Sequence, residues 1–322
     1  MNGDNRTERT FSTGPVARLE ISNVRGSIAV KSWDQDIVQV IATVGTDGSP
    51  DLVDLTVGGS GNRVTVKAEA VKNVRAWMRE VFRSTVPSVS LEIRCPRTSD
   101  VSVKSAASRI EIEDLKGKVD VNQATGQVRI AELDGALRLN SVSGDISCSG
   151  LHGPASFKSV SGDLDIKDSR VTSLSIQTVT GNVSVDTLAP GDDPVTLNMV
   201  SEKMTLLLDS TQGYTATLRT VSGTVQTDLP SRATENSRTT WKSELNGGGR
   251  EIRMNSVTGS FELIADTSEG EMSDSPDDRP GESERIAVLQ SLRDGDIDVD
   301  VALQLLRREG SLGSSELEGR NP

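Results

Sequence analysis

A four-residue motif, Ser/Thr-Val-Ser/Thr-Gly, recurs along the chain and constrains its fold more than any other feature. From a looser copy at Gly126, the closing glycines follow at positions 144, 162 and 181, which is a nearly constant step. A second marker, Leu-x-Gly, recurs with the same step at Gly117, Gly135 and Gly153. Regular recurrence of this kind is typical of stacked repeat architectures. The five full copies of the motif occupy positions 141–144, 159–162, 178–181, 220–223 and 256–259.

The residues between these glycines alternate between apolar and polar, as strands with one buried face do. Val128 and Ile130 alternate with polar neighbours, and Leu137 and Leu139 do the same before Val142 completes the apolar pattern of that unit. Each unit therefore supplies two short strands, each ended by a glycine. Stacking the units buries a continuous apolar stripe, with rungs about 4.8 Å apart.

The pattern predicts an all-β fold, namely a parallel β-solenoid or β-helix-like repeat domain with two strands per coil and a dry interior. A β-sandwich of hairpins is the alternative, but it does not require identical corners at a constant spacing. Beyond Gly181 the step lengthens slightly, because the next copies close at Glu202, which replaces the glycine, and at Gly223. The longer interval from Gly223 to Gly259 fits about two coils, one with an eroded motif.

The two ends of the repeat are less regular. Residues 15 to 105 alternate like strands but without a fixed spacing, and we interpret them as a diverged end of the same sheet system. Their sequence does not indicate whether they pair in parallel. The polar residues 1–14 are predicted to be disordered, and the repeat domain is predicted to span residues 15–266.

Composition argues against several classes of function. Aromatic residues make up 2% of the 322 residues, which disfavours an aromatic-lined sugar or nucleobase site. The low aromatic content favours a thin interior of Val, Ile, Leu and Ala, because bulky rings would push the stacked coils apart. A net charge of −12 disfavours nucleic-acid binding. With two distant cysteines and one histidine, we predict no catalytic residues, no metal ligands, no cofactor and no small-molecule substrate.

The sequence indicates neither a secretory signal peptide nor a transmembrane helix. Residues 1–13 lack an apolar segment, and no run approaches the roughly 18 apolar residues that span a bilayer. Both observations predict a cytoplasmic location, and neither excludes peripheral attachment to a membrane.

Residues 71–83 change from a period of two to the 3.6-residue period of a helix and carry a charge of +3 in an acidic chain. A short basic helix with Trp and Phe can lie in an anionic membrane interface. It can also cover an open end of the sheet, which repeat proteins need for solubility. The candidate membrane or partner surface comprises Lys72, Arg75, Trp77, Arg79, Phe82 and Arg83.

The C-terminal residues predict a linker and a small helical hairpin. Residues 267–284 are acidic and contain Pro and Gly, which predicts a disordered linker. In residues 285–310 the first helix ends at Gly295, and Asp298 is placed to cap the second. Two helices this short need a docking surface, which we expect to be a second copy, a partner or the repeat domain. Residues 311–322 are predicted to form a disordered tail, and the candidate docking face comprises Ile286, Leu289, Leu292, Leu303 and Leu306.

The Ser-Val-Ser-Gly-Asp-Ile and Leu-x-Gly units resemble the bacterial putative-adhesin family of β-strand repeats, a family of unknown function. The resemblance covers residues 15 to 265 and is most specific from Ser99 to Val185. Residues 286–306 resemble the SHOCT-like module found beside such repeats, although Asp298 stands where Ser is common. The resemblance implies a non-enzymatic repeat surface, which in some members is tied to cell-envelope stress responses.

These observations favour a non-enzymatic structural or interaction protein, an adhesin-like scaffold whose hairpin mediates oligomerisation or partner docking. The alternative is a peripheral envelope-stress protein attached to the membrane through the basic helix at 71–83. A more distant alternative is a polysaccharide-active β-helix enzyme, for which Asp145 and Asp163 would form a carboxylate pair one rung apart. Asp after a corner glycine also suits a turn without any catalytic role.

Overall fold

The computed structural model describes residues 5–47, 53–70, 87–186, 193–201 and 203–266. Within these ranges the chain forms 22 strands and no helix, and every strand is joined to the others by hydrogen-bonded pairing. The predicted all-β fold is therefore confirmed for the repeat domain. The helix predicted at 71–83, the linker, the hairpin and the tail lie outside the described residues.

The strands are numbered in their order along the chain. The first eleven are β1 (Arg6–Ser12), β2 (Val16–Trp33), β3 (Ile37–Val44), β4 (Val53–Ser60), β5 (Arg63–Ala70), β6 (Val89–Pro96), β7 (Thr98–Lys116), β8 (Val119–Thr125), β9 (Val128–Asp134), β10 (Leu137–Ser143) and β11 (Ile146–Ser161). The others are β12 (Leu164–Lys167), β13 (Arg170–Gln177), β14 (Val183–Val185), β15 (Val195–Asn198), β16 (Lys203–Asp209), β17 (Tyr214–Thr220), β18 (Thr224–Thr227), β19 (Ser231–Asn236), β20 (Thr240–Leu245), β21 (Arg250–Ser256) and β22 (Ser260–Asp266).

The central coils stack in parallel with the register that the sequence repeat predicts. Leu137 of β10 lies opposite Val119 of β8 on one side and Ala155 of β11 on the other. In the second column of strands, Ile146 of β11 lies between Val128 of β9 and Leu164 of β12. Each coil thus contributes one strand to each of two parallel columns, as a two-strand solenoid requires and as a sandwich of hairpins does not.

The N-terminal end is closed by strands that run antiparallel to the stack. β2 pairs in parallel with β7 on its inner side and with β5 and β6 on its outer side. Outside these, β4 pairs antiparallel with β5, β3 with β6, and β1 with β3. The prediction that residues 1–14 are disordered is therefore wrong for β1. The full length of β1 is paired with β3, and Phe11 packs against the core.

The C-terminal coils are stacked in an order that differs from their order in the chain. β15 and β16 pair with β21 and β22, and the earlier strands β17 and β18 pair on the far side of β21 and β22. The interval from Gly223 to Gly259 does not contain an eroded coil, which corrects our prediction. It contains β19 and β20, which form an antiparallel hairpin against β17. This hairpin pairs with the side of β17 that does not contact β21.

The interior is filled by the residues that the alternating pattern assigned to it, among them Val128, Ile130, Leu137 and Leu139. The expectation that rings stay outside is wrong, because the largest fully buried side chains are Tyr214, Phe157 and Phe261. Two of these rings are accommodated because a small inward residue lies two positions away in the same strand. These small residues are Ala155 beside Phe157 and Ala216 beside Tyr214.

The corner glycines bring adjacent coils into backbone contact. Gly144 has φ +125°, and a Cβ atom at this position would overlap the carbonyl oxygen of Gly126 in the neighbouring coil. A different corner places non-glycine residues in the left-handed region, with φ between 48° and 55° at Asp114, Glu132 and Asp168. These three residues lie one or two repeat steps apart along the chain. The strand pairing passes over Asp114 and Glu132, whose neighbours on both sides are paired.

A search of the described residues finds no helix long and apolar enough to cross a bilayer.

Both cysteines are buried, as predicted for Cys148 from its inward position. Burial raises the pKa of Cys95 to about 11, and burial followed by the charge of Asp165 raises the pKa of Cys148 further. Because the thiolate is the reactive form, we expect neither thiol to react with a thiol-specific reagent at pH 8 in the native protein. In guanidinium both should react. Rapid reaction of one thiol without denaturant would contradict the buried position.

Candidate functional site

The valines of the repeated motif form an exposed apolar surface. Among the described residues seven large apolar side chains are exposed, and six of them are these corner valines. The exposed fraction ranges from 40% at Val179 to 71% at Val221. We call this set the valine ladder: Val142, Val160, Val179, Val200, Val221 and Val257.

The valines point outward because the small polar residues of the motif point inward. Ser141 and Thr178, which precede Val142 and Val179, are buried at the corner. The equivalent hydroxyl of Ser256 accepts a hydrogen bond from the amide of Gly259 at 2.6 Å, and Thr220 does the same for Gly223 at 2.7 Å. At these two corners the hydroxyl residue satisfies the turn from inside, and in every coil the alternation of the strand places the valine on the outer face.

Backbone hydrogen bonds join the valine ladder into one continuous row. The amide of Thr180 donates to the carbonyl of Val160 at 3.0 Å, and that of Thr258 donates to Val200 at 2.9 Å. Corresponding bonds reach Val179 from Ser201 and Val257 from Ser222. The spatial order of the row is thus 142, 160, 179, 200, 257 and 221, because it follows the exchanged order of the last two coils.

An open groove of about 910 Å3 runs beside the valine ladder. Its other wall is a row of outward side chains, mostly amides, at one register position of successive strands. We call this row the amide ladder: Asn122, Asn140, Lys158, Gln177 and Asn198 line the groove, and Asn255 followed by Arg219 continues the row beyond it. Among the described residues that line the groove, none is acidic, and Lys158 carries the single charge.

Two pairs of amides in this row are hydrogen-bonded along the stack. Asn140 donates from Nδ2 to Oδ1 of Asn122 at 2.9 Å, and Asn255 donates to Asn198 at 2.8 Å. Beneath the groove, Oε1 of Gln123 and Oγ of Ser141 are buried without a hydrogen-bond partner among the described residues. The surface is thus apolar on one side and polar on the other, with part of its amides bonded to one another.

Strand propensity alone does not require valine at these corners. Threonine has the same branched shape and a similar preference for strands. This chain uses threonine at other outward positions of the same coils, such as Thr196 and Thr217. Strand propensity therefore does not explain the six exposed valines, because threonine would serve the backbone equally well. Contiguous exposed apolar side chains are typical of interaction surfaces.

The residues of this site are not the candidates that the sequence predicted. The basic surface from Lys72 to Arg83 and the hairpin face from Ile286 to Leu306 both lie outside the described residues. They remain predictions. The valine ladder was missed because Val142 was counted as part of the buried apolar pattern, whereas its side chain is 55% exposed.

The carboxylates of Asp145 and Asp163 are engaged in the corner itself. Oδ1 of Asp145 accepts the backbone amide of Asp163 at 3.1 Å, and Oδ1 of Asp163 accepts the amide of Asn182 at 2.8 Å. Each carboxylate thus links its own coil to the next, which is the turn role that the sequence left open. In the part of the chain that the structure describes, no three His, Cys, Asp or Glu side chains are grouped to hold a metal ion.

The fold and its corner surface define a β-solenoid repeat protein with a long exposed groove. The sequence profile of the Toastrack DUF4097 family matches residues 16–263, and the chain belongs to this family. The predicted relation to a β-repeat family of unknown function is thereby confirmed, and the SHOCT-like hairpin stays a prediction. No curated protein matches the chain.

Solved structures similar to this chain include two bacterial proteins described as putative adhesins and one described as a putative lipid binding protein. The adhesin from Bacteroides fragilis is 14% identical with a TM-score of 0.41, and the alignment covers 82% of this chain and 98% of that one. The lipid binding protein from Parabacteroides distasonis is 12% identical with a TM-score of 0.37, covering 83% and 98%. The adhesin from Parabacteroides merdae is 11% identical with a TM-score of 0.27, also covering 83% and 98%. We transfer no ligand or partner from similarities this loose.

Proposed function

We propose that this chain is a non-enzymatic, adhesin-like interaction scaffold that binds a protein partner along its corner groove. The valine ladder carries the proposal. It is a continuous exposed apolar row in a domain whose other large apolar side chains, with the exception of Val16, are buried or partly buried among the described residues. A contiguous row of exposed apolar side chains is typical of interaction sites in proteins.

The C-terminal hairpin is proposed as a second docking element. Its Leu and Ile residues, from Ile286 to Leu306, recur at helical spacing in a segment too short to be stable alone. The apolar face of such a hairpin is stable only when another surface covers it. We therefore propose that it mediates oligomerisation or partner docking, apart from the groove.

The proposal is tested by capturing proteins from a lysate of the source cells with three full-length baits. The baits are the wild type, a groove variant with Val160→Lys and Val179→Lys, and a hairpin variant with Leu303→Glu and Leu306→Glu. We expect each variant to lose a specific subset of the captured proteins. Each lost protein is then purified, and its affinity for the wild type and the variants is measured. Identical captured sets for all three baits would contradict the proposal.

A second candidate function is peripheral attachment to a membrane through residues 71–83. The observation in its favour is a charge of +3 together with Trp77 and Phe82 in a chain of net charge −12. The full chain should then sediment with anionic vesicles of phosphatidylserine and phosphatidylcholine, but not with phosphatidylcholine alone. Replacing Arg75, Arg79 and Arg83 by Gln should abolish this sedimentation. Equal sedimentation of the variant would exclude this helix as the anchor.

A further inference from the structure

We propose that the corner groove binds a second copy of this chain, so that two valine ladders pack face to face in a symmetric dimer. The inference rests on the proposed interaction role of the groove and names its partner. Four properties of the surface support it: its repeat distance, its charge, the state of its polar groups and the protection of the sheet edges.

The repeat distance of the valine ladder matches that of another stack of β-rungs better than that of a helix or of an extended peptide. Successive valines lie one rung apart, about 4.8 Å. An α-helix repeats about every 5.4 Å, and side chains on one face of an extended peptide repeat about every 6.7 Å, so both drift out of step within a few rungs. A second copy presents the same spacing along the whole row. Its valines can therefore contact this row at every rung without any drift.

The charge of the surface allows two copies to approach, although the chain as a whole is strongly acidic. At a net charge of −12, most contacts between two copies would bring carboxylates together. The lining of the groove contains no acidic side chain among its described residues, and its single cation is Lys158. The groove is thus a strip without negative charge on an acidic molecule. Contact along this strip avoids the repulsion that a contact elsewhere would meet.

The polar wall of the groove can be covered at low cost. The side-chain amide of Asn140 already donates to Asn122, and that of Asn255 donates to Asn198. Covering a polar group is costly when it loses water without gaining a partner. Because these two amide pairs already bond along the row, a partner does not have to replace those hydrogen bonds.

Two of the sheet edges are protected against pairing with a second copy. The edge strands β1 and β19 carry charged side chains, namely Arg6 and Glu8 on β1 and Arg232 and Glu235 on β19, whereas the short edge strand β18 carries none. All six residues of β19 are exposed. Charged edge strands of this kind prevent pairing between sheets of different molecules.

The length of the valine ladder limits the area that a dimer can bury. With Ala124 at its start, the row spans seven rungs, or about 29 Å at the usual rung spacing. A strip of this length buries an area at the lower end of specific interfaces, where complexes are weak and transient, so we expect a dissociation constant in roughly the micromolar range. The dimer should therefore form at the concentrations used in sedimentation and scattering experiments.

The test is analytical ultracentrifugation of the full chain from about 1 to 200 μM, a range that brackets the expected constant. The wild type should pass from monomer to dimer. Val160→Lys with Val179→Lys should weaken the dimer at least roughly 100-fold, and the milder Val160→Thr with Val179→Thr roughly tenfold, with the thermal unfolding midpoint kept. The matched control, Ser147→Lys with Ser184→Lys, places the same charges on the other column of strands and should dimerise like the wild type.

Cysteine crosslinking locates the contact directly, because both native cysteines are buried. Single substitutions Val142→Cys, Val160→Cys, Val179→Cys and Val200→Cys are oxidised mildly, with Ser147→Cys as the control. We expect a disulfide-linked dimer for at least one groove position and none for the control. A monomer at every concentration, a dimer that survives both groove variants, or no groove crosslink would overturn the inference.

The same measurements separate this inference from the proposed function. If the dimer is lost in the Leu303→Glu and Leu306→Glu variant but kept in both groove variants, self-association belongs to the hairpin and the groove dimer is refuted. In that case the scaffold role survives as long as the groove variants still lose partners from the lysate. If no variant changes either the dimer or the captured proteins, both proposals fail.

Discussion

Alanine in place of Gly144 is expected to destabilise the repeat domain by about 4 kcal/mol or more, or to prevent its folding. The backbone at Gly144 has φ +125°, a conformation that residues with a Cβ atom strongly disfavour. The new methyl group would also overlap the backbone of Gly126 in the adjacent coil. Neither strain can relax locally, because each coil is fixed by hydrogen bonds to the coils on both sides.

The measurement is the free energy of unfolding in urea, with Gly58→Ala as the matched control. Gly58 lies in the outer strand β4, its φ is ordinary, and an added Cβ would meet nothing within 4 Å. The control should change stability by less than about 0.5 kcal/mol. An effect of Gly144→Ala no larger than that of the control would show that the coils are not in backbone contact at this corner.

Alanine in place of Phe157 is expected to cost about 3 to 5 kcal/mol. The ring is 1% exposed and lies in the inward row between Leu139 and Ile176 of the adjacent coils. Removing it leaves a cavity that the surrounding coils cannot close, because their spacing is set by the backbone hydrogen bonds of the stack. Large losses of this kind are typical where a core cannot collapse around the vacant space.

Phe157→Leu provides the matched comparison, because it restores the residue type of the neighbouring coils and leaves a smaller cavity. We expect it to cost about 1 to 2 kcal/mol, measured by the same urea titration. If alanine and leucine were equally tolerated, the interior at this rung would have to be loose enough to readjust. That result would refute the packed interior.

Much of the central domain could be predicted from the sequence because the repeat specifies it redundantly. The constant step between corner glycines sets which strands are neighbours, and the alternation of Leu137 and Leu139 with polar residues sets the inward face. Parallel stacking then follows, because identical units can bury the same face only by lying in register. Local pattern and global topology agree in this part of the chain, which is the condition under which sequence reasoning works.

The candidate site could also have been found in the sequence, from the phase of the alternation. Leu137, Leu139 and Ser141 share one parity, and Val142 falls on the other, which places it on the outer face. The same offset recurs at the other copies of the motif. It was overlooked because valine beside a glycine corner resembles the Leu-x-Gly marker, whose leucine Leu133 is buried. The apolar character of Val142 was given more weight than its phase in the strand alternation.

The two ends could not be predicted, because their partners are not set by a repeat. β17 lies beside β21 rather than beside β15, and a choice between such partners depends on packing between segments that are far apart in the chain. Strand β1 has a polar sequence, and it is ordered through pairing with β3. Likewise, the left-handed backbone at Glu132 lacks the glycine that normally signals it.

The antiparallel strands at both ends have a consequence for how such molecules can change in length. Between them, each coil from β8 to β13 contacts only coils equivalent to itself, so a whole coil can be gained or lost there without altering either end. The ends do not permit this, since β2 and β21 are each enclosed by strands from distant parts of the chain. Relatives of this chain should therefore differ by whole coils in the middle. Each added coil that keeps the motif would extend the valine ladder by one residue, so that contact area grows in fixed steps with length.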